Sequence, residues 1–521
     1  MRTFLSGIIL AATTAQAGAA SVHSALGGEQ FGLQPADNYR LANGRCNDCG
    51  QKQALWYFQD ELIALPAAGA KDAPGLVWLG SPQLVPQARF DGKVLQTADG
   101  GTLNFRLAPK IATNRSYFNA SSEAFFRQRE VRVRGQWDEA GQQFVARTIW
   151  PRDYVIDAGK LPVQPLSGSD DLQGFVRHAE GGARGEYAVR KVWQRPGAAP
   201  AELSGKPVLA MMLSGAQGDD DEAYGGHFAI ATGRLGPQGE WSDWLVNNFY
   251  GLDSYSEKGI VASALPMDNY LMDLNSGQQY YRPSYMLVAV LKDARTAQAY
   301  QTNVNQVFRE FYAHHFSYQH AAANCTGINV DVLRKLGWQW PLQGPTNRLK
   351  AVGAFAYMAA KEMSIASGKK AYSYFTEEQT RLHPAVAFDA LGKDLLNVLG
   401  GQAGRQLSGF EQQLQSDVEA VMLVRIPQIP SSRAFGSAPA YSIDEFMARA
   451  PEDRSKWQVV PTEPRPFPEE LMDEQAKKNL QKSAWPVAAL VLLVAAIGAA
   501  WHWRRRQKLR EQVPHPERLR A

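Results

Sequence analysis

The run His227-Phe228-Ala229-Ile230-Ala231-Thr232-Gly233-Arg234-Leu235 decides how the centre of this chain is read. It is apolar, follows Gly225-Gly226 and stops at Gly236-Pro237-Gln238-Gly239, so it predicts a strand that turns back in a hairpin onto residues 241–250. Residues 207–213 before it and 285–291 after it have the same apolar character, and the set predicts an antiparallel sheet. Helices follow. Val304, Val307, Phe308, Phe311 and His315 recur at helical spacing, and a second helix starts near Cys325, carries Ile328, Val332, Leu333 and Leu336 on one face and ends at Gly337. A sheet followed by helices makes the fold class α+β.

Upstream, short strand-like runs at 75–79, 92–95, 102–107, 131–137 and 143–149, separated by Asp99-Gly100-Gly101 and Glu139-Ala140-Gly141, predict a small N-terminal β-barrel, OB-like in outline. It carries no catalytic constellation, which leaves it a binding or positioning role.

Both ends of the chain are apolar. Arg2, the run Phe4 to Ala12 and the small-residue sequence Ala15-Gln16-Ala17 have the three parts of a signal peptide. Residues 485–503 contain no Asp, Glu, Lys or Arg, are bounded by tryptophans and are followed by Arg504, Arg505, Arg506 and Lys508. That pattern predicts a transmembrane helix with a cytoplasmic tail. The expected division is therefore a signal peptide (1–19), a β-rich domain (26–160), a cysteine domain (170–345), a helical extension (346–456), a Pro-rich tether (457–484), the transmembrane helix (485–503) and the tail (504–521). It places the protein at the cytoplasmic membrane with a single pass and the folded domains outside.

The chain has 55 Lys and Arg against 51 Asp and Glu, a formal charge of +4, which gives no basis for a nucleic-acid surface. Its three cysteines are too few for a disulfide scaffold. Cys46 and Cys49, spaced C-N-D-C, are expected to form a local disulfide in an oxidising compartment; no second C-x-x-C or H-x-x-x-H completes a zinc site, and Gly50 in place of His excludes haem attachment.

Cys325 is different. Asn324 is a good N-cap, so the thiol falls in the first helical turn, where free backbone N–H groups and the helix dipole favour thiolate. The same position suits a small buried core residue. What separates the two is His227 at the start of its strand: with the hairpin turning at 236–239, residues 227 and 247 or 248 fall side by side. Asn247 or Asn248 would then fix the imidazole tautomer, and His227 would serve Cys325 as base. His314, His315 and His320 suggest a metal cluster at first sight, but the first two are adjacent and point different ways on a helix, so no metal or other cofactor is expected.

The order of a His-led sheet followed by an Asn-Cys-Thr helix resembles the circularly permuted members of the papain-like NlpC superfamily, in particular the Lnb-type periplasmic domain, over about residues 200–340, with Gly226-His227 and Asn324-Cys325-Thr326 as its carriers. The resemblance implies a permuted papain-like domain with Cys325 as nucleophile and His227 as base. It also implies a hydrolase or acyltransferase acting on an amide or ester of a cell-envelope substrate, a peptidoglycan peptide or a lipid-linked acyl group. The rival expectation is an envelope scaffold or binding protein with an inert thiol. Nothing in the pattern sets an oligomeric state.

Overall fold

The computed structural model describes the chain from residue 22 to 430, except 27, 44–60, 71–72, 109–117, 119, 167–171, 173–185, 198–202, 216–225, 254–257, 275–276, 313–315, 317, 319–322 and 345–347, and beyond it residues 448, 452 and 453. The architecture is α+β, built on a large mixed sheet, a small closed barrel and a set of helices.

Ten strands make the large sheet, in the spatial order Ala188–Gln194, Val418–Ile426, Ser284–Leu291, Pro207–Ser214, His227–Arg234, Leu245–Asp253, Lys258–Pro266, Val77–Gly80, Leu62–Pro66 and Tyr39–Asn43. The middle strands are apolar over most of their length because both faces are covered: Pro207–Ser214 and Ser284–Leu291 are buried at every position. Their register is regular. His227 stands opposite Ser214, and Ser214 opposite Ser284.

The barrel closes through Gln83–Phe90, Val94–Thr97, Thr102–Leu107, Phe144–Pro151 and Glu130–Trp137, with Thr102–Leu107 and Phe144–Pro151 running parallel and the helix Ala120–Arg127 between the third and fourth strands in sequence. This is a five-stranded barrel of the kind OB folds use. Gly100, at φ +82, makes the Asp99-Gly100-Gly101 turn. The run 75–79, grouped with the barrel by its sequence, instead supplies Val77–Gly80 to the large sheet, where Val77 pairs with Ala264. Likewise Val418–Ile426, inside the stretch expected to be helical, returns as a strand between Ala188–Gln194 and Ser284–Leu291. A continuous apolar run such as Val-Glu-Ala-Val-Met-Leu-Val-Arg-Ile has no periodicity that separates strand from buried helix.

Buried ion pairs fasten the barrel to the large sheet. Arg134 binds Asp268 through two bonds of 2.9 and 3.0 Å, and neither side chain is exposed. Arg147 reaches Asp273 at 2.7 Å and Glu61 at 2.5 Å, and Arg132 meets Ser242 and Asp243. Asp268 and Asp273 lie on and just after the short helix Met267–Met272, which is thereby held between the barrel and the sheet.

One expectation is overturned. No helix among the described residues is long and apolar enough to cross a membrane. The longest of them, Arg295–Tyr312 with 18 residues, has Arg309 in its last turn and a strongly amphipathic pattern, the mark of a helix lying on a sheet. The fold class of the described residues is therefore corrected to α+β with no membrane-spanning helix among them, and the single-pass placement at the cytoplasmic membrane is set aside with it. Residues 1–19, 457–484, 485–503 and 504–521, on which the terminal assignments rested, lie outside the described residues, as do Cys46 and Cys49.

Candidate functional site

His227 is the first residue of its strand, directly after Gly226, whose φ of +70 sets the entry. Only 1% of the residue is exposed. Its Nε2 lies 2.8 Å from Asn248 Oδ1, so Nε2 carries the proton and donates, leaving Nδ1 with the lone pair. Tyr250 meets the ring edge-on at 5.2 Å between centroids, and Tyr270, from the helix held by Arg134, lies 6.0 Å away. Burial and the nearby Arg282 charge push the imidazole pKa down from its ordinary 6.5 to about 3, with the Asn248 bond acting in the opposite direction. The ring is neutral at any physiological pH.

Behind His227 the same row of the sheet is polar. Ser214 Oγ sits 3.3 Å from Tyr270 Oη and 3.2 Å from Ser284 Oγ, and Ser284 donates to Gln279 Oε1. The register that places His227, Ser214 and Ser284 side by side produces this line of buried hydroxyls.

Cys325 opens the helix Cys325–Leu336. Asn324 Oδ1 accepts the N–H groups of Thr326 (3.1 Å) and Gly327 (3.0 Å), while its Nδ2 donates to Leu382 O at 3.0 Å. The cap thus occupies the second and third amides of the turn and leaves the N–H of Cys325 itself outside the cap. Asn329 Nδ2 donates to Cys325 O at 2.7 Å, and Tyr300 donates to Asn329 Oδ1. Gly327 lies close to the neighbouring backbone: a Cβ there would make a tight contact, 3.2 Å, with Arg381 O.

The thiol of Cys325 is buried and carries no disulfide. Burial pushes its pKa up; the nearby Phe228 and Thr326 backbone amides and the Thr326 and Tyr318 hydroxyls act against that rise, with Thr326 Oγ1 at 3.9 Å as the thiol's hydrogen-bond partner. Phe228 is the neighbour of His227, and the helix Cys325–Leu336 packs against the strand His227–Arg234. His227 is not hydrogen-bonded to the thiol.

Asn247 is not part of this arrangement. It pairs with Ile230, faces the helix Arg295–Tyr312, donates to Ile230 O and Gln301 Oε1, and accepts from Gln301 Nε2. Of the residues the sequence proposes, the structure joins His227 to Asn248, and the helix that Cys325 opens packs against the strand that His227 opens. His314, His315 and His320 lie outside the described residues, and among the described residues no three His, Cys, Asp or Glu are grouped to hold a metal ion.

No family model, curated protein or solved structure matches this chain. Three residues of the site escape a reading by sequence: Tyr270, Arg282 and Tyr318. Tyr270 lies in Met-Asp-Asn-Tyr-Leu-Met, which reads as core, and the one local anomaly is the acidic Asp268 inside it. Arg282 and Tyr318 give no signal at all.

Proposed function

We propose that this protein is a cysteine-dependent hydrolase or acyltransferase that acts on an amide or ester carbonyl. The observation that carries the reading is the hydrogen bond from His227 Nε2 to Asn248 Oδ1, combined with Cys325 at a capped helix start that packs against the strand His227 opens. In the proposed reaction Cys325 Sγ forms a bond to the carbonyl carbon as its proton passes to His227 Nδ1. The Cys325 N–H, outside the Asn324 cap, is placed to stabilise the resulting oxyanion. The imidazolium then returns the proton to the departing amine or alcohol, leaving a thioester, which water or a second acceptor resolves. Because thiol and imidazole are both neutral at rest, proton transfer accompanies attack rather than preceding it. The sequence resemblance to the permuted NlpC superfamily points to cell-envelope substrates, a peptidoglycan peptide or a lipid-linked acyl group.

The second reading, a non-catalytic binding protein, draws support from the same burial: Cys325 is 5% exposed and its thiol is held in the protonated form. Incubation with an activated p-nitrophenyl ester followed by mass spectrometry separates the two. An acyl adduct on Cys325 that is lost in His227→Ala supports the catalytic reading. No adduct, with alkylation rates of parent and His227→Ala that coincide across pH, supports the inert thiol.

A further inference from the structure

Residues 348–376 form a helical hairpin that projects from the fold. Its helices, Arg348–Lys361 and Ile365–Thr376, pack mainly on each other, and between them bury only Ala351 and Gly368. The crossing is close: a Cβ on Gly368 would meet Phe355 O at 2.8 Å. In a helix that serves a core, apolar residues at i, i+3, i+4 and i+7 face inward. Here that spacing faces outward. Leu349 (83% exposed), Val352 (57%), Tyr357 (63%) and Met363 (56%), with Ala356 and Ala360 between them, make one solvent-facing stripe along the first helix and the turn.

The stripe has a cationic border. Arg348, Lys350, Lys361, Lys369 and Lys370 stand against the single acid Glu362, a net charge of 5 − 1 = +4 within the 29 residues from 348 to 376. Among the described residues Lys361, Lys369 and Lys370 enter no ion pair, and Lys361 lies over the Tyr357 ring at 5.7 Å. A groove of about 420 Å³, lined by Val352, Phe355, Lys369, Tyr372 and Ser373, opens beside the stripe, with a lysine among its apolar walls.

We propose that this hairpin docks peripherally onto an anionic lipid surface, lying in the interface without crossing it. An apolar stripe with an aromatic and long basic side chains at its edges is the composition that seats a helix at the boundary of headgroups and acyl chains. The one-sided positive charge selects anionic lipid and opposes pairing with a second copy, whose identical border would repel it. The proposal stands independently of the thiol chemistry. The hairpin does lead directly into Gln379–Leu382, whose last carbonyl holds Asn324 beside Cys325, so a docked hairpin sets the candidate site close to the surface.

Hydrogen–deuterium exchange on the full chain, with and without vesicles, tests this locally. Peptides covering 348–376 should gain protection with vesicles containing phosphatidylglycerol, gain little with pure phosphatidylcholine, and lose that gain at high salt. The variant Leu349→Glu/Val352→Glu/Tyr357→Glu should weaken the protection by about tenfold or more in lipid concentration while keeping the parent's thermal midpoint, since these side chains are outside the core. The proposal fails if the segment exchanges identically with and without anionic vesicles. It fails equally if protection appears without lipid and rises with protein concentration, which would make the occupant a second copy, or if the segment is already protected by another part of this chain.

Discussion

Asn248, and not its neighbour Asn247, is the residue hydrogen-bonded to His227, at 2.8 Å from Oδ1 to Nε2. The two asparagines alternate across the strand Leu245–Asp253, so one reaches the imidazole and the other turns to Gln301 under the helix Arg295–Tyr312. Adjacent residues of identical type thereby have separate tasks, one chemical and one structural.

Single substitutions should divide those tasks. Asn248→Ala frees the imidazole to rotate or change tautomer, and is expected to slow acylation or alkylation of Cys325 by about tenfold or more at neutral pH with little change in stability. Asn247→Ala leaves buried amide groups of Gln301 short of partners and should cost about 1–3 kcal/mol in urea unfolding, while the folded fraction keeps the parent's thiol reactivity. Equal effects on reactivity from both would remove Asn248 from the site.

The pH dependence of stability carries a signature of His227. Its folded pKa, about 3, lies below the ordinary 6.5, so between those values the unfolded chain binds the extra proton and the fold loses stability as pH falls. The slope from this one group reaches about 1.4 kcal/mol per pH unit. Cys325 works at the other end. Its raised pKa gives a contribution that is complete below the ordinary thiol range and is lost as pH climbs past it. Urea unfolding of the parent and His227→Gln at pH 7, 6 and 5 should show the acid loss shrinking in the variant. Parallel curves would mean that His227 is not held neutral in the fold.

The pair joining barrel and sheet should behave as a buried ion pair does. Arg134→Met strands the fully buried Asp268 carboxylate and is expected to cost about 3–5 kcal/mol, whereas Arg134→Met with Asp268→Leu should recover most of that loss. Because Asp268 shares its helix with Tyr270, which faces His227, the single variant should also alter thiol reactivity in the protein that remains folded. A single variant as stable as the parent would show that the pair does not fasten the barrel.

How much of this was legible in the sequence follows from the range of the interactions. The positions of His227 and Cys325 were readable because strand starts and helix caps are local: Gly226 sets one and Asn324 the other. The choice between Asn247 and Asn248 was not, since it depends on the pairing of Ile230 with Asn247, and a slip of one residue would exchange their faces. The Arg134–Asp268 pair spans 134 positions in sequence and leaves no local trace. Val418–Ile426 looked helical by its surroundings and became a strand one in from the sheet edge because only the assembled sheet offers its apolar residues two covered faces.

Asn324 provides the sharpest test of how the thiol is positioned, because its two ends have opposite polarity. Oδ1 accepts from Thr326 and Gly327, and Nδ2 donates to Leu382 O, tying the nucleophile helix to Gln379–Leu382. Asn324→Ser should preserve an acceptor for the helix amides and lose only the tie, at a cost of about 1 kcal/mol. Asn324→Ala loses both and should cost roughly twice as much. Asn324→Asp separates stability from chemistry. A carboxylate caps the helix as well as an amide does and is favoured by the dipole, but it turns an anionic oxygen toward the Leu382 carbonyl and sets negative charge beside the thiol. That charge opposes thiolate formation and drives the Cys325 pKa further up. The expected result is a helix of near-parent stability whose thiol alkylates more slowly at every pH below the thiol range, with the rate–pH curve displaced to higher pH. If the aspartate variant instead matched the parent in both midpoint and curve, the cap would not govern the electrostatics at Cys325, and the helix start would be a structural feature alone.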